Sequence, residues 1–122
     1  MMESASALAK LTRVAPEIPA ADVKRAVDFY AQLGFAKVFE IPGEYAIVER
    51  DGIALHLFRA EPGQSPAGVH IFTPDLEELF AEFETGGVEF AQRVERKPWG
   101  NREFRVRDEF GNVLKFTEPV GE

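Results

Sequence analysis

Pro98-Trp99-Gly100-Asn101-Arg102-Glu103-Phe104-Arg105-Val106-Arg107-Asp108-Glu109-Phe110-Gly111-Asn112-Val113-Leu114-Lys115-Phe116 spells two strands joined by a tight turn. Phe104 and Val106 alternate with charges on the first strand, and Leu114 and Phe116 flank Lys115 on the second. That period of two is what a half-buried strand requires. Asp108 to Asn112 supply the turn, with Gly111 free to take positive φ and Asn112 tolerant of it. Phe104, Val106, Leu114 and Phe116 are therefore expected in a core. Glu103, Arg105, Val113 and Lys115 share the opposite face.

Upstream of this hairpin the pattern is periodic as well. Arg13 to Ile18 reads as a first strand broken by Pro16 and Pro19, with Val14 and Ile18 inward and Arg13, Ala15 and Glu17 outward. Asp22 is a good N-cap, Val23, Val27, Phe29 and Tyr30 recur near helical spacing, and Gly34 ends the helix. Strands follow at Phe35 to Ile41, Tyr45 to Arg50 and Ile53 to Arg59, with Pro42-Gly43 and Asp51-Gly52 as turns. Residues 60–67, rich in Pro and Gly, form a linker. The order then recurs. A strand from Gly68 to Thr73 precedes a helix from Asp75 to Thr85 with Leu76, Leu79, Phe80 and Phe83 on one stripe. Gly86-Gly87 stops it, and a strand from Val88 to Arg96 leads into the hairpin.

This order predicts an α+β domain of two tandem βαβββ modules, residues 13–59 and 68–118, forming a curved, cup-like mixed sheet with a helix packed on each half. Residues 1–12 read as a flexible tail and 119–122 as a second. Strand parity puts Ala54, His56 and Phe58 on the face away from the helix, and likewise Gly68, His70 and Phe72. The open face thus collects Glu17, His56, Phe58, His70, Phe72, Glu103, Arg105 and Lys115.

Composition narrows the partners. The chain has 122 residues, enough for one domain, and a net charge of -7. An acidic surface disfavours nucleic acid and anionic membranes and suits a cationic ligand. The absence of cysteine excludes disulfides, zinc-thiolate sites and Cys nucleophiles. No apolar run approaches the ~18 residues of a membrane span, and the start lacks a signal-peptide pattern, so the expected location is cytoplasmic.

Three features together resemble the glyoxalase/bleomycin-resistance/extradiol-dioxygenase superfamily, the vicinal oxygen chelate fold. They are the duplicated order, the segment Asp22-Val23-Lys24-Arg25-Ala26-Val27-Asp28-Phe29-Tyr30 running into Leu33-Gly34-Phe35, and Arg107-Asp108-Glu109-Phe110-Gly111-Asn112. Pro98-Trp99-Gly100 before Arg102-Glu103-Phe104, and Arg50-Asp51-Gly52 before Leu55-His56-Leu57, are most similar to bleomycin-resistance-type members. The resemblance implies a homodimer with ligand grooves at the subunit interface. In the enzymes of this superfamily, His, Gln or Glu from the first and last strands of each half hold a divalent metal. Counting from matched landmarks places those positions at Ala15, His56, Gly68 and Lys115. Only His56 of these can donate to a metal, because Lys115 is a cation. A shift of two residues along two strands gives the alternative metal set His56, His70 and Glu17.

Three functions stand side by side. The first is a metal-free protein that sequesters a planar, cationic, bleomycin-type glycopeptide antibiotic, with no catalysis and no cofactor. Its expected ligand-binding residues are Trp99, Phe35, Phe39, Phe58, Phe72, His56, His70, Glu103 and Arg105. Trp99, in a loop, either stacks on the ligand or packs at a rim or interface. The second is an enzyme of the lyase or dioxygenase type using a divalent metal ion on His56, His70 and a Glu. The third is a binding module for another small ligand.

Overall fold

The computed structural model describes residues 8–119. The expectations for residues 1–7 and 120–122 lie outside the described residues. Residues 8–16 carry no regular structure, and residues 8–14 are exposed.

The first module runs β1 (Glu17–Ala20), α1 (Val23–Gln32), β2 (Ala36–Ile41), β3 (Tyr45–Arg50) and β4 (Ile53–Arg59). The second runs β5 (Gly68–Phe72), α2 (Leu76–Thr85), β6 (Gln92–Arg96), β7 (Arg102–Arg107) and β8 (Val113–Thr117). Each module builds one four-stranded mixed sheet. The first has the order β1-β4-β3-β2 and the second β5-β8-β7-β6, with β1 parallel to β4 and β5 parallel to β8. The α+β architecture and the duplicated order are as expected. The mixed sheet is divided into two four-stranded sheets, one per module, which are not closed on each other.

Local chemistry explains the element ends. Asp22 caps α1 by accepting from the Arg25 N–H. Asp51 and Gly52 both take positive φ (53° and 80°), as a two-residue hairpin turn requires. In the last hairpin Gly111 alone takes the left-handed conformation, at φ 90°, so Asn112 is spared it.

The first strand departs from expectation. It covers Glu17–Ala20 rather than Arg13–Ile18, and Val14 is 94% exposed instead of buried. Pairing explains the shift. β1 aligns Glu17 with His56 and Ala20 with Arg59, so its strand lies further along the chain than Pro16. Pro19 is tolerated inside it because β1 is an edge strand, where a missing N–H breaks no ladder. The sixth strand is also shorter than expected: Val88 is buried but lies before β6 begins at Gln92.

One apolar core serves both modules. Ile18, Tyr30, Leu33, Phe35, Val48, Leu55 and Leu57 from the first join Ile71, Phe83, Phe104, Val106, Leu114 and Phe116 from the second. All four inward residues of the opening hairpin lie in it. Phe104 and Phe116 stack at 5.1 Å between centroids, and Phe83 meets both edge-on.

The turn Asp108–Asn112 ties the modules together. The Asp108 carboxylate accepts from the hydroxyl of Tyr30 on α1 at 2.9 Å and from the backbone N–H groups of Phe110 and Asn112. Asn112 donates to the carbonyl of Pro19 and to Asp108, and accepts from the Ala67 N–H. Burial raises the Tyr30 phenol above its usual value, and the Asp108 charge and hydrogen bond raise it further. Arg50 adds a second tie through paired bonds to Glu82 on α2 at 2.8 and 3.0 Å.

Candidate functional site

Because the helix side of both sheets faces the shared core, the opposite faces turn away from it. On the first sheet, Tyr45 and Ile47 of β3 lie opposite Phe58 and His56 of β4, and β1 sets Glu17 beside His56. β2 extends the face by pairing Phe39 with Ile47 and Ile41 with Tyr45. The rings form a chain. Phe39 meets Tyr45 edge-on at 6.4 Å, and Tyr45 meets the His56 ring at 5.6 Å. The Tyr45 hydroxyl bonds Nδ1 of His56, while Nε2 of His56 is buried with no partner among the described residues. A buried polar atom of this kind calls for a group to satisfy it.

The open face of the second sheet is ionic. Glu103, Arg105 and Arg107 of β7 pair with Thr117, Lys115 and Val113 of β8, and β5 places His70 beside Lys115. Arg105 binds the Glu103 carboxylate at 2.5 Å, and Glu103 is only 1% exposed. Gln92 donates to the Glu103 carbonyl and accepts from Lys97. His70 and Phe72 are exposed and meet edge-on at 5.7 Å. At the base of this hairpin, Arg102 holds the Glu118 carboxyl below the usual carboxylate range.

The expected residues are thus divided between two surfaces. Phe39, His56 and Phe58 share the first sheet with Glu17. His70, Phe72, Glu103 and Arg105 share the second. Trp99 stands at the tip between β6 and β7, 64% exposed. Phe35 is a correction: it is 3% exposed and packs edge-on against Tyr30 at 6.4 Å in the core. It follows the helix-ending Gly34 directly, so it faces the interior before the β2 alternation begins. A crevice of about 380 Å³ between the modules is lined by Phe35, Ile71, Phe83 and Phe116, on the core side and away from His56.

The alternative metal set is not assembled within one chain. Glu17 and His56 are neighbours, but His70 belongs to the other sheet. No group of three His, Asp or Glu residues converges among the described residues. Of the counted positions, Gly68 and Ala15 offer no side-chain donor and Lys115 stands between His70 and Arg105. Among the described residues of one chain, these positions do not bring a divalent-cation donor set together.

Tyr45 was not legible in advance as the partner of His56. Tyr45, Ala46, Ile47 and Val48 are all apolar in character, so alternation does not choose a face. Only the pairing with Phe58 does. The orphaned hydroxyl of Thr117 likewise has no sequence signal.

Residues 10–116 match the family model described as the Glyoxalase/Bleomycin resistance protein/Dioxygenase superfamily. Among solved structures, the chain is similar to the bleomycin-binding protein from bleomycin-producing Streptomyces verticillus complexed with copper(II)-bleomycin. Identity is 30%, covering 92% of this chain and 99% of that one, with a TM-score of 0.79. A bleomycin resistance determinant encoded on the transposon Tn5 gives 23% identity over 90% and 99% of the chains, with a TM-score of 0.77. Lactoylglutathione lyase from Agrobacterium tumefaciens gives 21% over 92% and 98%, with a TM-score of 0.72. At those identities the last two likenesses speak to the fold. No curated protein matches the chain. No helix among the described residues is long and apolar enough to cross a membrane. With a family match across nearly its whole length and a duplicated βαβββ order that agrees with it, the chain belongs to the glyoxalase/bleomycin resistance protein/dioxygenase superfamily.

Proposed function

We propose that this protein binds a small planar molecule of the bleomycin type and sequesters it without chemistry, in grooves formed where the open sheet faces of two copies meet. The observation that carries the reading is the aromatic open face of the first sheet, where Phe39, Tyr45, His56 and Phe58 lie side by side on the face turned away from the helices. Phe39 and Phe72 are half-exposed on separate sheets, and Trp99 projects from a hairpin tip. Rings of this kind offer stacking surface at little entropic cost. A second copy supplies the opposite wall that one chain lacks. The likeness to the Streptomyces verticillus bleomycin-binding protein supports the ligand class.

The test pairs metal analysis with titration. Trp99 is the one tryptophan, so its fluorescence reports its own loop. Bleomycin is expected to quench it saturably and to raise the melting temperature, as any ligand selective for the native state does. Sedimentation is expected to give a dimer. Stoichiometric divalent metal in the purified protein would sink the metal-free reading and favour an enzyme. A lack of both quenching and stabilisation would leave a binding module for another ligand.

A further inference from the structure

We propose that the open face of the second sheet binds an anionic group, a carboxylate or phosphate, through the ammonium of Lys115. The inference rests on the reading of this face as ligand-binding and names the chemistry it would recognise.

The strand register carries it. β5, β8 and β7 set His70, Lys115 and Arg105 in one row across three adjacent strands. Directly paired residues stand close enough that like charges opposite each other destabilise a sheet. Arg105 is compensated by Glu103 at 2.5 Å. Lys115 is not: among the described residues it has neither an ion pair nor a hydrogen-bond partner for its ammonium, and it is flanked by basic groups on both sides. Arg107, two residues along β7 on the same face, adds a further cation.

An independent observation stands two residues away on β8. Thr117 faces the same side as Lys115 and is 2% exposed, and its hydroxyl is buried without a partner among the described residues. An uncompensated ammonium is satisfied by an anionic oxygen that accepts from it, and the orphaned hydroxyl two residues along β8 is a further donor, set opposite the Glu103 carboxylate that Arg105 already engages. The chain as a whole is acidic at -7, so this basic row is not a sample of its general surface.

The chain has two histidines, one on each open face, so their imidazole NMR signals read the two faces separately. The probes are benzoate, its neutral counterpart benzamide, the cation benzamidine and inorganic phosphate, all at matched ionic strength in sodium chloride. Benzoate or phosphate is expected to shift the His70 signal saturably, and benzamide and benzamidine are not. Tighter binding of benzoate than of phosphate would identify an organic anion as the preferred source, and the reverse an inorganic one. Lys115→Met should weaken the anion at least about tenfold, the worth of one charge-assisted contact. Lys115→Arg should retain it. The proposal is overturned if benzamide or benzamidine shifts His70 as far as benzoate, if sodium chloride alone reproduces the shift, or if a folded Lys115→Met variant binds unchanged. Bleomycin quenching without any anion effect would defeat this inference and leave the proposed function standing. Anion binding without bleomycin quenching would do the reverse.

Discussion

Beneath α2 the second module packs rings on rings: Phe83, Phe104 and Phe116 in mutual contact, with Phe80 stacked on Phe90 at 4.4 Å and Arg93 over Phe80. Beneath α1 the first module packs the aliphatic Ile18, Leu33, Val48, Leu55 and Leu57 around Tyr30 and Phe35. The open faces reverse this. The first sheet exposes a chain of rings, and the second exposes charges. One strand order thus carries two chemistries: the larger ring cluster is in the core of the second module, and the longer chain of rings is on the open face of the first. The shared topology sets where a side chain points, while the identity of each side chain decides what that direction is used for.

The contrast in the cores can be broken first. Phe104→Ala removes a ring stacked on Phe116 and is expected to cost about 3–5 kcal/mol. Leu55→Ala in the first module is expected to cost less, about 2–4 kcal/mol, since fewer contacts are lost. Urea unfolding of both variants checks the order, and a larger loss at Leu55 would show that the ring cluster is not the stronger half.

The junction comes next. Asp108→Ala leaves Tyr30 and Asn112 without their acceptor and should cost about 2–3 kcal/mol. Uncoupled melting of the two modules in that variant would show that the turn is what makes them one unit.

Tyr30 predicts a pH effect in the same place. Its folded value is raised above the ordinary 10.0, so the folded state keeps a proton that the unfolded chain releases. The associated stability is complete below pH 10 and falls as pH rises above it, by up to about 1.4 kcal/mol per unit. Tyr30→Phe should flatten that decline in denaturation measured from pH 9 to 11.

The faces are tested by smaller changes. Trp99→Ala should weaken bleomycin about tenfold by stacking loss, measured by calorimetry, while shifting stability by less than about 0.5 kcal/mol because the ring is exposed. Equal affinity would remove Trp99 from the groove. The smallest effect is expected at Arg25–Glu109, an exposed pair across the modules. Glu109→Gln should change stability by under about 0.5 kcal/mol, and less still in high salt.

Much of the fold was readable along the chain because its signals are local. Alternation at Phe104, Val106, Leu114 and Phe116, the cap at Asp22 and the turns at Asp51-Gly52 and Gly111 each act within a few residues. The candidate site was only partly readable. Parity placed His56 and Phe58 together, and His70 with Phe72, but it cannot say whether two sheets share one concavity. Nor does it reach Phe35, where a helix end rather than a strand sets the direction of the side chain.

By itself, then, the amino-acid sequence determined the element order, the inward residues of the last hairpin and the charge of the whole chain. Periodicity, glycine conformation and net charge need no knowledge of distant neighbours. Tertiary structure alone decided that the sheets remain separate and that Asp108 clasps Tyr30 78 residues away. It also decided that Tyr45 finds His56 and that Lys115 lies unpaired between His70 and Arg105. Those outcomes depend on strand register and on which surfaces are buried together, and both are settled only when residues far apart in the chain are brought into contact.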